Sequence, residues 1–113
     1  MIRALIADDQ QLFRTALERI IQDISNVIVV GEASSGDEAV NLTRELKPDI
    51  VLMELMLSGM GGLEATRRIV RFDPAPAVIA LTTCVEPPYP AQMLKAGAKG
   101  YLTKNIDQAE LIL

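Results

Sequence analysis

Histidine and tryptophan are absent from this chain, and cysteine occurs once. Without histidine there is no Ser-His or Cys-His nucleophilic pair, and the most common zinc sites are excluded. A single cysteine, Cys84, excludes an intrachain disulfide and favours a reducing compartment, so we expect a cytoplasmic protein. Cys84 itself is best interpreted as a small, half-buried hydrophobic residue.

Long apolar runs and a basic surface are missing as well. No apolar run approaches the roughly 20 residues of a membrane-spanning helix, and the start "MIRALIADD" turns acidic too early for a signal peptide. The net charge is −4 and the isoelectric point is about 4.7. This balance argues against direct nucleic-acid binding by residues 1–113, since such binding requires a basic face.

What the chain does contain is a regular alternation of two hydrophobic periods. Short apolar or β-branched runs predict strands at 2–7, 26–33, 49–55, 77–83 and 99–104. Helical periodicity predicts helices between them: one whose buried stripe includes Leu12 and Phe13, one capped by Ser34 or Ser35, one over 63–72, and one ending at Gly97. A last helix begins in "IDQAELIL" and has about two turns.

A strand–helix alternation repeated five times predicts an α/β domain with a parallel sheet and helices on both faces. The near-continuous hydrophobicity of strands one, three and four supports this, because central parallel strands are buried on both sides. With 113 residues the chain is long enough for one domain, and no boundary, repeat or low-complexity tract divides it.

Polar residues follow the strands at the edge where parallel strands share their carboxyl ends. They are Asp8 and Asp9 at the end of strand one, Glu54 near the end of strand three, Thr82 and Thr83 at the end of strand four, and Lys104 at the end of strand five. Each has an ordinary alternative: an Asp after a strand is usually a turn former, and a Lys there is usually solvated. Together, three acids suit a hard divalent cation such as Mg²⁺, and a lysine with a hydroxyl suits phosphate oxygens.

Several motifs together make the chain resemble the receiver domain of two-component response regulators over essentially its whole length. They are "LIADD", "VVGEASSGDEAV", "LKPDIVLMELMLSGMGGLEATRRI", "VIALTT" and "KAGAKGYLTK". Within that family it is similar to the NarL/LuxR (FixJ-like) group and its global activators of GacA/UvrY type. The resemblance implies a flavodoxin-like (CheY-like) doubly wound sheet of order 2-1-3-4-5 with a truncated last helix.

The resemblance also implies a role for each matching position. Asp8 and Asp9 would hold Mg²⁺ together with position 54 and the backbone carbonyl of Met56. Position 54 is where the family carries its phospho-accepting aspartate. The backbone amides of Met56 and Thr83, the Thr82 hydroxyl and the Lys104 ammonium would contact the phosphoryl group, and Tyr101 would report the switch state.

Three residues depart from the family pattern: Glu54 replaces the acceptor aspartate, Ser58 the usual proline, and Met56 a frequently polar residue. One extra methylene moves the carboxylate by about 1 Å, and misplacement of that size costs on the order of 10²-fold in rate. We therefore predict that the chain accepts phosphate poorly or not at all. Glu54 would instead reach toward Lys104 and Thr82 and imitate part of the phosphoryl group, with one charge in place of roughly two.

Three functions remain open at this point. The first is a receiver-type switch held partly toward its active state by Glu54. The second is a pseudo-receiver, locked in one conformation and used for docking or dimerisation. The third is a Mg²⁺-dependent phosphatase or nucleotide-binding enzyme, which the absence of a glycine-rich phosphate loop after strand one disfavours.

The family resemblance further implies the partners. They are a histidine kinase or phosphotransfer protein and a second copy of the domain. DNA would be bound only through a helix-turn-helix domain that followed residues 1–113 in a longer parent protein, and no membrane contact is expected.

Overall fold

Parallel strands alternate with helices throughout the described residues, 1–82 and 88–104, of the computed structural model. The strands are β1 (Ile2–Ala7), β2 (Val27–Ala33), β3 (Ile50–Met53), β4 (Ala77–Thr82) and β5 (Gly100–Thr103). The helices are α1 (Gln11–Gln22), α2 (Gly36–Leu46), α3 (Gly61–Ile69) and α4 (Tyr89–Ala96). The predicted α/β alternation is therefore confirmed over this part of the chain.

The strands form one sheet in the order β2-β1-β3-β4-β5, and all four pairings are parallel. This confirms the predicted doubly wound order. The reversal of winding lies between β1 and β3, which are neighbours although β2 separates them in sequence. In such a sheet the carboxyl ends of β1, β3, β4 and β5 line one edge, which is the place where ligands bind in this architecture.

Two apolar clusters cover the two faces of the sheet. Leu17 and Ile21 of α1 pack with Ile6 and Leu81 on one face. On the other face the larger cluster joins strand residues to α2, α3 and α4, through Ala39, Val40, Ala65, Ile69 and Met93. The core is aliphatic, as the scarcity of aromatic residues predicts.

Local sequence signals set the start of α2 and the end of α4. Ser35 caps α2 by accepting a hydrogen bond from the Glu38 N–H (3.1 Å), and the Glu38 carboxylate accepts one from the Ser34 N–H (2.8 Å). This is a variant of the capping box in which Glu38 accepts from the residue before the cap, and it identifies Ser35 as the cap among the two serines considered from sequence. Helix α4 ends at Gly97, which takes a left-handed φ of 115° that residues with a Cβ rarely adopt.

Several predicted bounds and one predicted buried residue were wrong. Strand β3 ends at Met53 rather than at residue 55, since the Glu54 carboxylate takes the Leu55 N–H (2.6 Å) in place of a strand partner. Strand β2 begins one residue late because Asn26 has φ 77°, outside the extended region. Leu12 is 84% exposed, since the buried stripe of α1 runs through Leu17 and Ile21 on another side of the helix.

Some predictions concern residues that lie outside the described part of the chain. They concern the Thr83 amide, Cys84, and the last helix with its predicted length. Within the described residues, no helix combines the length and apolarity needed to cross a membrane.

Candidate functional site

Backbone hydrogen bonds between strands place the predicted site residues side by side at the carboxyl edge. The Asp8 N–H donates to the Ala33 carbonyl (2.9 Å) and the Glu54 N–H donates to the Ala7 carbonyl (2.9 Å). At the other end of the site, the Lys104 N–H donates to the Thr82 carbonyl (2.9 Å). Each side chain thus starts from a fixed point on the sheet, one residue beyond its strand or at its end.

Lys104 is the centre of the site. Its ammonium nitrogen lies 2.6 Å from Oδ2 of Asp8 and 3.1 Å from Oε1 of Glu54. The three side chains are only 3–6% exposed. Two buried carboxylates therefore share one buried cation, and the juxtaposition of Asp8, Glu54 and Lys104 predicted from strand order is present.

The environment of Lys104 changes its pKa in two opposing ways. Burial disfavours the charged form and lowers the pKa. Hydrogen bonds and charge attraction from Asp8 and Glu54 outweigh burial, so the pKa is raised above the ordinary value of 10.5. The ammonium is consequently charged at neutral pH, and it offsets one of the two carboxylate charges.

Glu54 uses its two oxygens differently. Oε1 faces Lys104, whereas Oε2 accepts the N–H of Leu55 at 2.6 Å. The loop beyond it folds back tightly: the Gly62 N–H donates to the Leu55 carbonyl (2.9 Å), and a Cβ at Gly62 would overlap the Glu54 carbonyl oxygen. The start of α3 therefore packs against the backbone of Glu54 and restricts the position of its carboxylate.

Both the carboxylate and the backbone carbonyl of Asp8 accept hydrogen bonds. Its Oδ1 accepts the N–H of Gln10 at 2.8 Å, and its carbonyl accepts a short hydrogen bond from the Arg14 guanidinium. Arg14 also pairs with Glu32 of β2 at 3.0 Å. The N–H just before α1 thus holds the Asp8 carboxylate, while Arg14 of α1 and the end of β2 hold its backbone.

Gln10 and Phe13 also contact Lys104, and sequence reasoning missed both as site residues. The ammonium donates to Oε1 of Gln10 (3.0 Å) and lies 4.4 Å from the centre of the Phe13 ring. The spacing from the Asp8-Asp9 pair was the available signal, since residues just after that pair begin α1 at the same edge.

The oxygen donors at this edge fit a hard cation. Asp8 is buried and Asp9 is exposed. Across residues 1–82 and 88–104, no three Asp, Glu, His or Cys side chains are grouped closely enough to hold a metal ion. Mg²⁺ does not need such a cage, because one or two carboxylates with carbonyl, water and phosphate oxygens are typical for it. The chemistry of the donors is therefore compatible with Mg²⁺.

The remaining predicted residues occupy different environments. Thr82 is fully buried at the end of β4, and Tyr101 of β5 is half-buried against the larger core cluster. The Met56 side chain is 61% exposed in the loop after Glu54.

Comparisons with known proteins find similar sequences and folds. The family described as "Response regulator receiver domain" matches residues 4–113. Response regulator GacA of Pseudomonas viridiflava is 49% identical over 112 residues, and UvrY of Escherichia coli K12 is 45% identical over 112. These matches cover 99% of this chain, but the chain spans only about half the length of those relatives, 52% and 51%.

A solved structure has a similar fold. The crystal structure of a LuxR-family two-component response regulator from Aurantimonas sp. superposes with a TM-score of 0.91 at 40% identity. The superposition covers 97% of this chain and 79% of that one.

Proposed function

Because the chain belongs to the response regulator receiver family, we propose that its carboxyl-edge site is a phosphoryl site whose acceptor position is occupied by Glu54. Members of this family act as regulators in two-component signalling rather than as enzymes of metabolism, so the phosphatase alternative is set aside. The observation that carries the proposal is the 3.1 Å contact between Glu54 Oε1 and Lys104 Nζ. An anionic oxygen already occupies one donor of the Lys104 ammonium, the group that would contact a phosphoryl oxygen.

The proposed consequence is poor or absent phosphorylation. Transfer from a phosphohistidine requires the acceptor oxygen to be aligned with the donor phosphorus. In Glu54 both oxygens are engaged, one by Lys104 and the other by the Leu55 N–H. The longer side chain and these two contacts together keep the carboxylate from the attack position of an aspartate.

Glu54 would also imitate part of the phosphorylated state. Its carboxylate supplies one negative charge to Lys104, whereas a phosphoryl group supplies roughly −1.5 to −2 and three oxygens. We therefore propose a partial bias toward the active state. Thr82, adjacent to Lys104 through the 2.9 Å backbone hydrogen bond, would be the hydroxyl that responds, with Tyr101 as the aromatic that reports the change.

The proposed phosphoryl site would also bind Mg²⁺. Asp8, Asp9, Glu54 and the Met56 carbonyl would hold the ion, which would neutralise charge on phosphoryl oxygens when bound. The backbone amides of Met56 and Thr83 would face the same phosphoryl oxygens. Each protein donor in this set is an oxygen, in keeping with a hard cation.

The partners follow from the family. We propose that this domain is cytoplasmic, with a histidine kinase or phosphotransfer protein as the donor and a second copy of the domain as the partner of the active state. DNA contact would be made by a separate domain of the parent protein, since this domain is acidic with a net charge of −4. The half-length coverage of the GacA and UvrY relatives is compatible with that division.

The alternative is a pseudo-receiver, and the full engagement of the Glu54 oxygens favours it as the second candidate. In that case the site is locked, and residue 54 does not influence the surfaces that bind partners. The two functions differ in whether a change at Glu54 alters the surfaces that bind partners.

Self-association without any phosphodonor separates them. We expect Glu54→Gln, which removes the charge, to weaken dimerisation about two- to tenfold, the effect of one hydrogen-bonded charge contact. Glu54→Asp should weaken it in the same direction, and Glu45→Asp, an exposed change in α2, should leave it unchanged. Sedimentation equilibrium gives the constants. Identical dimerisation in all four proteins contradicts the switch and supports the pseudo-receiver.

A further inference from the structure

The ammonium of Lys104 has three N–H donors, and three oxygens surround it. They are Oδ2 of Asp8 (2.6 Å), Oε1 of Glu54 (3.1 Å) and Oε1 of Gln10 (3.0 Å). The Phe13 ring lies beside the ammonium, 4.4 Å from the nitrogen to the ring centre. With this set of oxygens each donor has an acceptor, so a further anion can bind Lys104 only by displacing one of them.

Gln10 contacts both members of the Asp8–Lys104 pair. Its backbone N–H donates to Oδ1 of Asp8 (2.8 Å), and its side-chain oxygen accepts from Lys104. Gln10 precedes α1 with an extended backbone, and its side chain forms no cap on that helix. A serine, threonine, asparagine or aspartate at this position would usually cap the helix, whereas the longer glutamine reaches the ammonium.

The three oxygens are not equally replaceable. Asp8 and Glu54 are charged and buried, and their hydrogen bonds to an ammonium are charge-assisted on both sides. Gln10 supplies a neutral amide oxygen from an exposed residue. Its hydrogen bond is the weakest of the three, and it is the one that faces water.

We propose that Gln10 is a positioning residue that occupies the third donor of Lys104 and is displaced when a phosphoryl-type anion enters the site. This rests on the proposed phosphoryl function and adds a residue to it. The Gln10 oxygen holds the ammonium in place while the site is empty of anion. Displacing it costs one hydrogen bond to a neutral acceptor, so residue 10 sets the affinity of the site for the incoming anion.

The first test compares the unmodified chain with single variants, all with Glu54 in place, and does not depend on phosphorylation. Exchange of the Lys104 ammonium protons with water is measured by ¹H–¹⁵N NMR. Gln10→Ala should accelerate it about two- to tenfold, the effect of one lost hydrogen bond. Gln10→Asn should do the same, since its shorter amide does not reach Lys104 although asparagine is a better helix cap. The matched control is Gln11→Ala, an exposed residue of α1, which should leave exchange unchanged.

The second test measures anion affinity in the Glu54→Asp background, which restores the aspartate that the family carries. Acetyl phosphate with Mg²⁺ is the donor, and intact mass follows labelling. Adding Gln10→Ala should lower the half-saturating acetyl phosphate concentration about two- to tenfold without a fall in maximal rate. Gln10→Glu places a charged oxygen on Lys104 and should raise that concentration.

The outcomes separate the two proposals. If Glu54→Asp is never labelled, the phosphoryl function fails, while the exchange measurement still decides the place of Gln10. If labelling occurs but Gln10→Ala leaves both ammonium exchange and half-saturation unchanged, the assignment of Gln10 is overturned and the phosphoryl function stands.

Discussion

Glu54 and Lys104 follow two different strands, β3 and β5, yet Oε1 of Glu54 lies 3.1 Å from Nζ of Lys104 across the end of β4. Asp8, which follows β1, completes the contact from the other side at 2.6 Å. The parallel order of the sheet makes this possible, since it aligns the carboxyl ends of the four strands. The ammonium therefore pairs with two carboxylates at once and offsets one of their two negative charges.

The raised pKa of Lys104 predicts a specific dependence of stability on pH. A folded-state pKa above the unfolded value of 10.5 means that the ion pairs stabilise the fold fully below pH 10.5. That contribution is lost as pH rises through the higher folded-state pKa. The difference in free energy of unfolding between the unmodified chain and Lys104→Met should therefore be constant near neutral pH and shrink above pH 10.5.

Urea unfolding of both proteins from neutral to strongly alkaline pH measures this difference. Titrating groups that do not contact Lys104 are common to both proteins and cancel. A difference that rises with pH below pH 10.5 and is level above it would mean that burial, rather than Asp8 and Glu54, dominates the pKa of Lys104.

Two buried helical threonines should respond in opposite ways to the same substitution. The Thr43 hydroxyl donates to the Ala39 carbonyl (2.7 Å), whereas Oγ1 of Thr66 has no partner among the described residues. Thr43→Val should destabilise the fold by about 1 kcal/mol, because it removes a hydrogen bond. Thr66→Val should be neutral or stabilise it by up to about 1 kcal/mol, because it removes an unpaired polar group.

Chemical denaturation of the two variants provides the comparison, since both changes keep a branched side chain at a fully buried helical position. Equal losses of stability would indicate that Thr66 has a partner comparable to that of Thr43.

The capping box at α2 predicts unequal roles for neighbouring serines. Ser35→Ala removes the side-chain acceptor of the Glu38 N–H and should destabilise the fold by about 1 kcal/mol. Ser34→Ala keeps the backbone N–H that Glu38 accepts from, so stability should change little. Thermal unfolding of the pair distinguishes them, and a larger loss in Ser34→Ala would contradict the assigned cap.

The loop that carries Glu54 should be intolerant of a single methyl group. A Cβ at Gly62 would overlap the Glu54 carbonyl oxygen, so Gly62→Ala should destabilise the fold by about 1–3 kcal/mol and displace the carboxylate. At Gly100 the nearest atom would be 3.7 Å away, an ordinary contact. Gly100→Ala is therefore the control and should leave both stability and the Glu54–Lys104 contact intact, as read by the Lys104 ammonium resonance.

Much of the site could be predicted because it depends on strand order. The alternation of elements predicts a parallel sheet, and the family resemblance implies its order, 2-1-3-4-5. Given that order, the residues at the ends of β1, β3 and β5 meet at one edge, as Asp8, Glu54 and Lys104 do.

The sequence could not predict which partners each side chain contacts in the folded chain. Periodicity put Leu12 in the buried stripe of α1, but the contact face is set by the sheet, and Leu12 is exposed. The early end of β3 depends on the Glu54 carboxylate taking the Leu55 N–H, which no propensity encodes. The role of Gln10 depends on a long-range hydrogen bond to Lys104 that is visible only in three dimensions.

The most direct measurement of the central claim is labelling by acetyl phosphate with Mg²⁺, read by intact mass. The unmodified chain and Glu54→Asp are compared under one set of conditions, with Glu54→Gln as the control for labelling elsewhere. The account predicts one added phosphoryl group on Glu54→Asp and none on the unmodified chain or on Glu54→Gln. A stable phosphoryl adduct on Glu54 of the unmodified chain would contradict it.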